Sequence, residues 1–152
     1  YRYLSACWAQ DVAVAQALSV KPTASAAAVE RLLGELSALK LRCAKLEESV
    51  FAGVAARYAG RGDVLLFEDE MGGESVRRLC DAVAETCGGR CAVFAGAGSA
   101  WNYAIGQRGG DLRALTKELN AALSGRGGGK PEFVQGSVGA EREAIEAFFA
   151  EK

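Results

Sequence analysis

An apolar repeat of seven residues between positions 25 and 57 constrains the fold more than any other feature of the sequence. Two series recur at intervals of seven and lie three residues apart, namely Val29, Leu36, Cys43 and Val50 in one and Leu32, Leu39, Leu46 and Gly53 in the other. Charged residues of both signs occupy much of the remaining surface. Two apolar series kept for more than three heptads predict one long helix with a coiled-coil-like stripe.

The first 18 residues predict a shorter helix, so residues 1–60 form an N-terminal helical hairpin in this interpretation. Leu4, Trp8, Ala15 and Leu18 lie near one face, and Pro22 ends the helical pattern. Packing of this helix against the long one is the simpler explanation of the stripe. A stripe of this length can also serve a second chain, and the residues expected to mediate dimerisation are Leu32, Leu36, Leu39, Cys43 and Leu46.

At Arg61-Gly62 the period changes from helical to strand-like, and residues 61–152 predict a small globular domain. Apolar runs at 64–67, 91–95 and 133–134 and an alternating run at 101–106 predict strands, the middle two forming a hairpin. Helical spacing predicts helices around 76–87, 112–123 and 145–149, the second of them with Asp111 as its N-cap. The order β-α-β-β-α-β-α predicts a mixed sheet covered by helices, an α/β (mixed α+β) fold.

The segment 125–136 predicts a glycine-rich loop. Gly127, Gly128 and Gly129 can adopt backbone angles closed to other residues, so their N–H groups could converge on one anion. Arg126 and Lys130 flank them with positive charge. Pro131 stands where a P-loop needs a serine or threonine to ligate magnesium, which excludes that motif. A turn that binds nothing explains these residues equally well.

Two further cations lie close in sequence to this stretch. Arg113 and Lys117 are four residues apart and therefore share one face of a helix. If that face adjoins the glycine-rich loop, the two segments form a basic patch suited to phosphate; otherwise it is a solvated helix face. Because the formal net charge is −1, nucleic acid could be attracted only by such a local patch.

Composition removes several classes of function. The sequence has no histidine, which excludes a Ser-His triad, a Cys-His dyad and histidine-ligated zinc, and we identify no catalytic or metal-ligating residues. Five cysteines, an odd number, favour a reducing, cytoplasmic location. No apolar run approaches the ~20 residues of a membrane span. The chain opens at Tyr1 within a helical pattern, so we expect a fragment of a longer protein.

The segments Asp111-Leu112-Arg113, Lys117 to Asn120 and Gly125 to Gly136 resemble a known family. They are similar to the C-terminal (DHH-associated) domain of alanyl-tRNA synthetases and of free-standing alanyl-tRNA editing proteins, which also occurs beside the catalytic half of DHH phosphoesterases. Residues 127–131 match the glycine motif of that domain, and Gln135-Gly136 match its trailing pair. Lys130 stands where relatives often have arginine or histidine.

The resemblance to the editing proteins implies a parent that hydrolyses serine or glycine wrongly attached to alanine tRNA. Its zinc would lie in a separate, upstream editing domain, with no cofactor in this fragment. The fragment itself would dock alanine-specific tRNA and form a homodimer through its helical arm. The expected phosphate-binding residues are then Arg113, Lys117, Arg126, Gly127, Gly128, Gly129, Lys130 and Gln135.

Two alternatives stay open from the sequence. The first is the substrate-binding half of a DHH-type phosphoesterase that acts on a nucleotide or short oligonucleotide. The second is a coiled-coil assembly domain that has no ligand.

Overall fold

The computed structural model of the chain describes residues 1–69 and 71–151, and it confirms a mixed α+β fold that begins with a long helical region. The elements follow the order α1 (Arg2–Ala17), a short 3-10 helix (Pro22–Ala24), α2 (Ser25–Tyr58), β1 (Gly62–Glu68), α3 (Gly73–Ala84), β2 (Gly88–Ala97), β3 (Ala100–Gln107), α4 (Arg113–Ala122), β4 (Arg126–Lys130), β5 (Phe133–Val138) and α5 (Arg142–Ala150).

The chain divides into two compact units, Tyr1–Leu46 and Glu47–Lys152, and α2 contributes to both. In the first unit the helical direction changes by 76° between α1 and the segment Pro22–Tyr58. Ser25 Oγ stabilises this turn through its hydroxyl hydrogen bond, with two acceptors in reach, Asp11 Oδ1 at 2.7 Å and the carbonyl oxygen of Pro22 at 2.8 Å. The two predicted helices are therefore present, but they form a bent pair and not a closely packed antiparallel hairpin.

The apolar stripe of α2 is exposed to solvent. The exposed fraction rises from 40% at Leu32 to 60% at Leu46, and Cys43 is also exposed. Only Ala15 and Ala28 are buried among residues 1–46. Packing of α1 therefore does not account for the stripe, and the simpler of the two sequence-based explanations is wrong.

No single helix among the described residues is long and apolar enough to cross a membrane. By length and composition alone, α1 and the segment Pro22–Tyr58 pass that test only when they are taken together across their bend.

The second unit is built on a mixed sheet of five strands in the order β1-β2-β3-β5-β4. Strands β1 and β2 are parallel, whereas the other neighbouring strands are antiparallel, and β2 and β3 form the predicted hairpin. On one face, α3 and the end of α2 bury Phe51, Leu79 and Val93. On the other face, α4 and α5 bury a core that includes Phe94, Tyr103, Ile105, Leu119 and Ile145.

The predicted glycine-rich loop is instead part of a β-hairpin. Residues 126–130 form strand β4, which pairs with β5 through a turn at Pro131 and Glu132. The observed order is β-α-β-β-α-β-β-α, one strand more than predicted. Consecutive glycines offer no side-chain alternation and have a low strand propensity, so the sequence pattern gives no sign of this strand.

Candidate nucleic-acid interface

Close approach of backbones explains two of the three consecutive glycines. A Cβ atom at Gly127 would lie 2.3 Å from Tyr103 Oη and 2.5 Å from the carbonyl oxygen of Gln135, and one at Gly129 would lie 2.3 Å from the carbonyl oxygen of Phe133. These distances are far below normal contact, so larger residues do not fit. None of the three glycines has a positive φ. The predicted nest of converging N–H groups is therefore not formed, because a nest needs alternating right- and left-handed residues.

Gly128 differs from its two neighbours. A Cβ atom there would meet no atom within 4 Å, and the backbone is ordinary strand. The fold does not require glycine at this position. It leaves an exposed stretch of main chain with no side chain between Arg126 and Lys130.

A small polar network attaches β4 to the rest of the domain. The buried hydroxyl group of Tyr103 donates a hydrogen bond to Asn120 Oδ1 at 3.2 Å, and Asn120 Nδ2 donates one to the carbonyl oxygen of Gly127, also at 3.2 Å. Burial raises the pKa of Tyr103, so it is a stable donor at neutral pH. Neither Tyr103 nor Asn120 is among the residues that the sequence predicts for the site. The only signal in the sequence was that Asn120 lies in a segment that resembles the C-terminal domain of alanyl-tRNA synthetases.

The tip of the β4–β5 hairpin is also held in place. The N–H group of Leu112 donates to the carbonyl oxygen of Pro131 at 2.7 Å, and that of Gln107 donates to the carbonyl oxygen of Glu132 at 2.9 Å. The Glu132 carboxylate accepts a further hydrogen bond from the N–H group of Gly109 at 2.9 Å. The β4–β5 hairpin is thus held by hydrogen bonds at its tip as well as along β4.

The strand register distributes the predicted site residues over both faces of the sheet. Gly128 lies opposite Gln135 and Lys130 lies opposite Phe133, so Arg126, Gly128, Lys130 and Gln135 share the face that carries α3. A cleft of about 300 Å³ opens there, lined by Arg77, Asp81, Gly128, Gly129, Lys130, Phe133 and Gln135.

A second cleft, of about 380 Å³, opens on the α4 side of β4. It is lined by Arg113, Thr116, Lys117, Asn120, Gly127, Gly128, Gly129 and Val134. The face of α4 that carries Arg113 and Lys117 therefore does adjoin the glycine stretch, as the basic-patch interpretation requires. A third and more polar cleft, of about 500 Å³, includes Arg126 together with Asn102, Ser124 and Ser137.

Arg113 is engaged locally by an acidic neighbour. Its Nε lies 2.9 Å from Asp111 Oδ1 and its Nη2 lies 2.5 Å from Asp111 Oδ2, and Asp111 Oδ1 also accepts a hydrogen bond from the N–H group of Arg113. Hydrogen bonds from Arg113 lower the pKa of Asp111 from 3.8 to about 2. The predicted N-cap role of Asp111 is wrong, because α4 begins at Arg113 with Leu112 as its N-cap. The Asp111 carboxylate instead neutralises the charge of Arg113, which is one of the predicted phosphate-binding residues.

Three other predicted cations have no such partner. Within residues 1–69 and 71–151, no carboxylate lies within 4.0 Å of Lys117, Arg126 or Lys130. The arginines with a carboxylate partner in the second unit are Arg77, Arg78, Arg90, Arg108, Arg113 and Arg142. Among the described residues of this unit, three of the cations without a carboxylate partner thus lie around β4, and the others are Arg57 and Arg61 near the end of α2, with Arg61 over the ring of Tyr58.

The one carboxylate in the α3-side cleft is itself balanced. Asp81 accepts a hydrogen bond from Arg108 Nη2 at 2.8 Å, and Glu85 pairs with the same guanidinium group. Asp81 therefore repels an anion near Lys130 less than an isolated carboxylate would.

The described residues contain no group of three or more His, Cys, Asp or Glu side chains that could hold a metal ion. Cys80, Cys87 and Cys91 are buried, whereas Cys7 and Cys43 are exposed. The arrangement around β4 offers positive charge and accessible backbone, which suits binding of a polyanion.

Comparison with known proteins gives similarity at the level of fold. No family model matches the sequence, and neither does any curated protein. The crystal structure of the C-Ala domain from Aquifex aeolicus alanyl-tRNA synthetase aligns with a TM-score of 0.50 and 21% identity, over 59% of this chain and 89% of that one.

A crystal structure of exonuclease RecJ bound to manganese aligns with a TM-score of 0.51 and 20% identity. That alignment covers 85% of this chain but only 32% of the RecJ chain. These two likenesses confirm, at the level of fold, the expected resemblance to the domain shared by alanyl-tRNA synthetases and the DHH group.

Proposed function

We propose that this chain is the tRNA-binding and dimerisation domain of a cytoplasmic alanyl-tRNA editing protein. The parent protein hydrolyses serine or glycine mischarged on alanine tRNA, with zinc held in a separate editing domain. The observation that carries the tRNA-binding part is the gathering of Lys117, Arg126 and Lys130, all without a carboxylate partner, around an exposed strand of glycines. The fold likeness to a C-Ala domain supports the choice of RNA.

The geometry favours contact with an extended phosphate backbone over capture of a single phosphate. Arg126 and Lys130 share a face of β4 and are four residues apart, which corresponds to about 13 Å along a strand. Side chains that extend straight out from positions so far apart suit successive phosphates of one strand better than a single phosphate. Between them Gly128 presents bare backbone, so a nucleic-acid strand can approach closely without meeting a side chain.

Electrostatics makes this a short-range interaction. The formal net charge of −1 gives no general attraction for RNA, so binding depends on local contacts between cations and phosphates. Each such contact releases counterions, and affinity then falls as salt rises.

The first test removes one cation. Replacing Lys130 with Ala is expected to weaken tRNA binding and to lower the slope of log affinity against log salt concentration by about one unit. Lys21→Ala is the matched control, since it removes one charge from an exposed lysine outside the proposed interface. If Lys130→Ala binds tRNA with the parent's affinity and salt slope, β4 is not the docking surface.

The second test adds a side chain without disturbing the fold. Gly128→Val is sterically allowed and a β-branched residue suits a strand, so stability should be preserved. We expect tRNA binding to drop at least tenfold, because the side chain would stand between the RNA and the backbone. Circular dichroism and thermal unfolding confirm the fold of the variant. Unchanged binding by a folded Gly128→Val protein would argue against close approach of RNA at β4.

The dimerisation part rests on the apolar stripe of α2, which is exposed in the part of the chain that the structure describes. Leu32, Leu36, Leu39, Cys43 and Leu46 are the proposed contact residues. A second copy of the helix is the partner that the heptad spacing fits best.

One observation favours an alternative function. The likeness to RecJ extends over 85% of this chain, against 59% for the C-Ala domain. The alternative is the substrate-binding half of a DHH-type phosphoesterase, with the same cations holding a nucleotide or short oligonucleotide. A competition experiment separates the two functions, with an oligonucleotide of a few nucleotides added to the complex of the chain with tRNA. Complete displacement of tRNA at equal concentration supports the phosphoesterase half. Failure to displace tRNA supports tRNA docking.

A further inference from the structure

We infer that two copies of α2 pair in parallel and in register, so that Cys43 of one copy faces Cys43 of the other. This inference rests on the dimerisation part of the proposed function and adds the orientation and register of the contact. Its basis is the distribution of apolar surface and of charge along the helix.

The large apolar side chains that are exposed lie on the two N-terminal helices, α1 and α2, and at Tyr1 just before them. Among the described residues, the large hydrophobic side chains that are exposed all lie between positions 1 and 50, and on α2 they are Val29, Leu32, Leu33, Leu36, Leu39, Leu41, Leu46 and Val50. Most of these belong to the two heptad series. A contiguous apolar stripe of this kind marks a contact surface.

The residue types in the two series indicate a two-stranded parallel arrangement. The series Val29, Leu36, Cys43 and Val50 corresponds to the a positions, and three leucines, Leu32, Leu39 and Leu46, occupy the d positions. Among parallel coiled coils, valine at a with leucine at d favours two strands over three or four, and two of the four a residues are valine. In a parallel, in-register pair each of these residues packs against its own copy.

The flanking charges agree with this register. In a parallel pair a g residue faces the e residue that lies five positions later on the other helix. Glu35 then faces Lys40 of the second copy, and Arg42 faces Glu47 of the second copy. Both pairs have opposite charge, and the symmetry of the dimer doubles each of them.

Glu47 already accepts hydrogen bonds within its own chain, but its carboxylate can accept more. Its carboxylate accepts hydrogen bonds from Ser75 Oγ at 2.8 Å and from Arg78 Nη1 at 3.1 Å. Its side chain is 37% exposed, and a carboxylate accepts up to about four hydrogen bonds. Arg42 of a second copy can therefore join this group.

An antiparallel pairing fits the charges less well. The antiparallel register that places Val29 opposite Leu46 of the other copy pairs Glu35 with Arg42, but it sets Lys40 against the uncharged Leu33. Shifting by one heptad in either direction brings Lys40 opposite Lys40 or Glu35 opposite Glu35. Like charges in these positions are unfavourable, so the parallel register is preferred.

Cysteine crosslinking tests the inference directly. Cys7 is the other exposed thiol and is first replaced by serine, because Cys80, Cys87 and Cys91 are buried. Under mild oxidation with diamide, the Cys7→Ser protein should form a covalent dimer that reductant reverses. Cys43→Ser added to this background should abolish the product. In that double variant, Leu41→Cys places an exposed thiol on the far side of the helix and should not restore it.

Sedimentation of the reduced protein separates failure of the inference from failure of dimerisation. A dimer that crosslinks through Cys43 supports the inference. A dimer without the Cys43 crosslink overturns the parallel register, while dimerisation stands. In that case the antiparallel register is tested with two chains. That register sets position 32 of one copy opposite position 43 of the other. A tagged chain that carries Leu32→Cys and Cys43→Ser should therefore form a disulfide with an untagged chain that keeps Cys43. A monomer at high concentration overturns both the register and dimerisation.

Discussion

Three adjacent glycines of identical chemistry have different structural roles in β4. We predict that Gly127→Ala and Gly129→Ala each lower the free energy of unfolding by about 1–3 kcal/mol, the usual effect of forcing atoms into filled space. Gly128→Ala should leave it unchanged or raise it by up to about 1 kcal/mol, since alanine restricts the unfolded chain. Urea denaturation measures all three variants. Equal destabilisation at all three positions would contradict the close approach assigned to only two of them.

The ion pair between Asp111 and Arg113 predicts a particular dependence of stability on pH. The pKa of Asp111 is about 2 in the folded chain, below its ordinary value of 3.8. A carboxylate whose pKa is lowered by folding contributes stability above the unfolded pKa, and this contribution is lost as the pH falls through the folded value. The stability difference between the parent and Asp111→Asn should therefore be constant above about pH 5, shrink progressively as the pH falls, and disappear below about pH 2. A difference that persists unchanged at pH 2 would refute the pairing.

At this scale the sequence indicated some residues of the candidate interface in advance and did not indicate others, for identifiable reasons. Lys117, Arg126 and Lys130 carry their charge wherever the chain places them, so they could be named in advance. Tyr103 and Asn120 act only because β3 and α4 come together, and no local pattern reports a contact across 17 positions. The pairing of Arg113 with Asp111 was visible in principle, because the two residues are only two positions apart.

At the scale of elements, the stripe of α2 gives a prediction about assembly. Replacing Leu39 and Leu46 with glutamate should shift the chain towards monomer, because four charges would enter one apolar seam of the dimer. Leu41→Glu is a matched control, since Leu41 is as exposed as Leu46 (60% each) but lies on the opposite side of the helix. Sedimentation equilibrium measures the association constant of each protein. Equal weakening by Leu41→Glu would show that the seam is not the contact.

Elements with a strong period could be predicted, and those without one could not. The helices carry apolar residues at helical spacing and the buried strands carry apolar runs or alternation, and both types appear where the sequence indicates them. Strand β4 consists of Arg126, three glycines and Lys130, so it has no pattern to read. Pairing with β5 and the fit of Gly127 against Tyr103 make it a strand, and both are tertiary effects.

At the scale of the whole molecule, we predict that the chain alone does not hydrolyse misacylated tRNA. The sequence has no histidine, and the described side chains include no cluster able to hold a metal ion. Incubation with seryl- and glycyl-tRNA for alanine, with and without zinc, should give the uncatalysed rate. Zinc-stimulated turnover that survives repurification would overturn the prediction.

The overall class of fold could be predicted from the order of elements, but the arrangement of the sheet could not. The alternation of helical and strand-like segments in residues 61–152 indicates a mixed sheet covered by helices. The strand order β1-β2-β3-β5-β4 places the glycine strand at an edge. Long-range pairing between β3 and β5 decides this, and local sequence carries no record of it.

The hydrogen bonds that hold Pro131 and Glu132 have a consequence for recognition. Under the proposed function, RNA that reached β4 would meet a backbone that is already ordered, so binding would lose little chain entropy and need no slow rearrangement. The association rate constant should then be set by diffusion and by electrostatic attraction, with no conformational step to slow it. The same rigidity would limit which RNAs fit: a surface that does not adapt would select RNAs of one shape, so discrimination would come from the shape of the RNA more than from its bases.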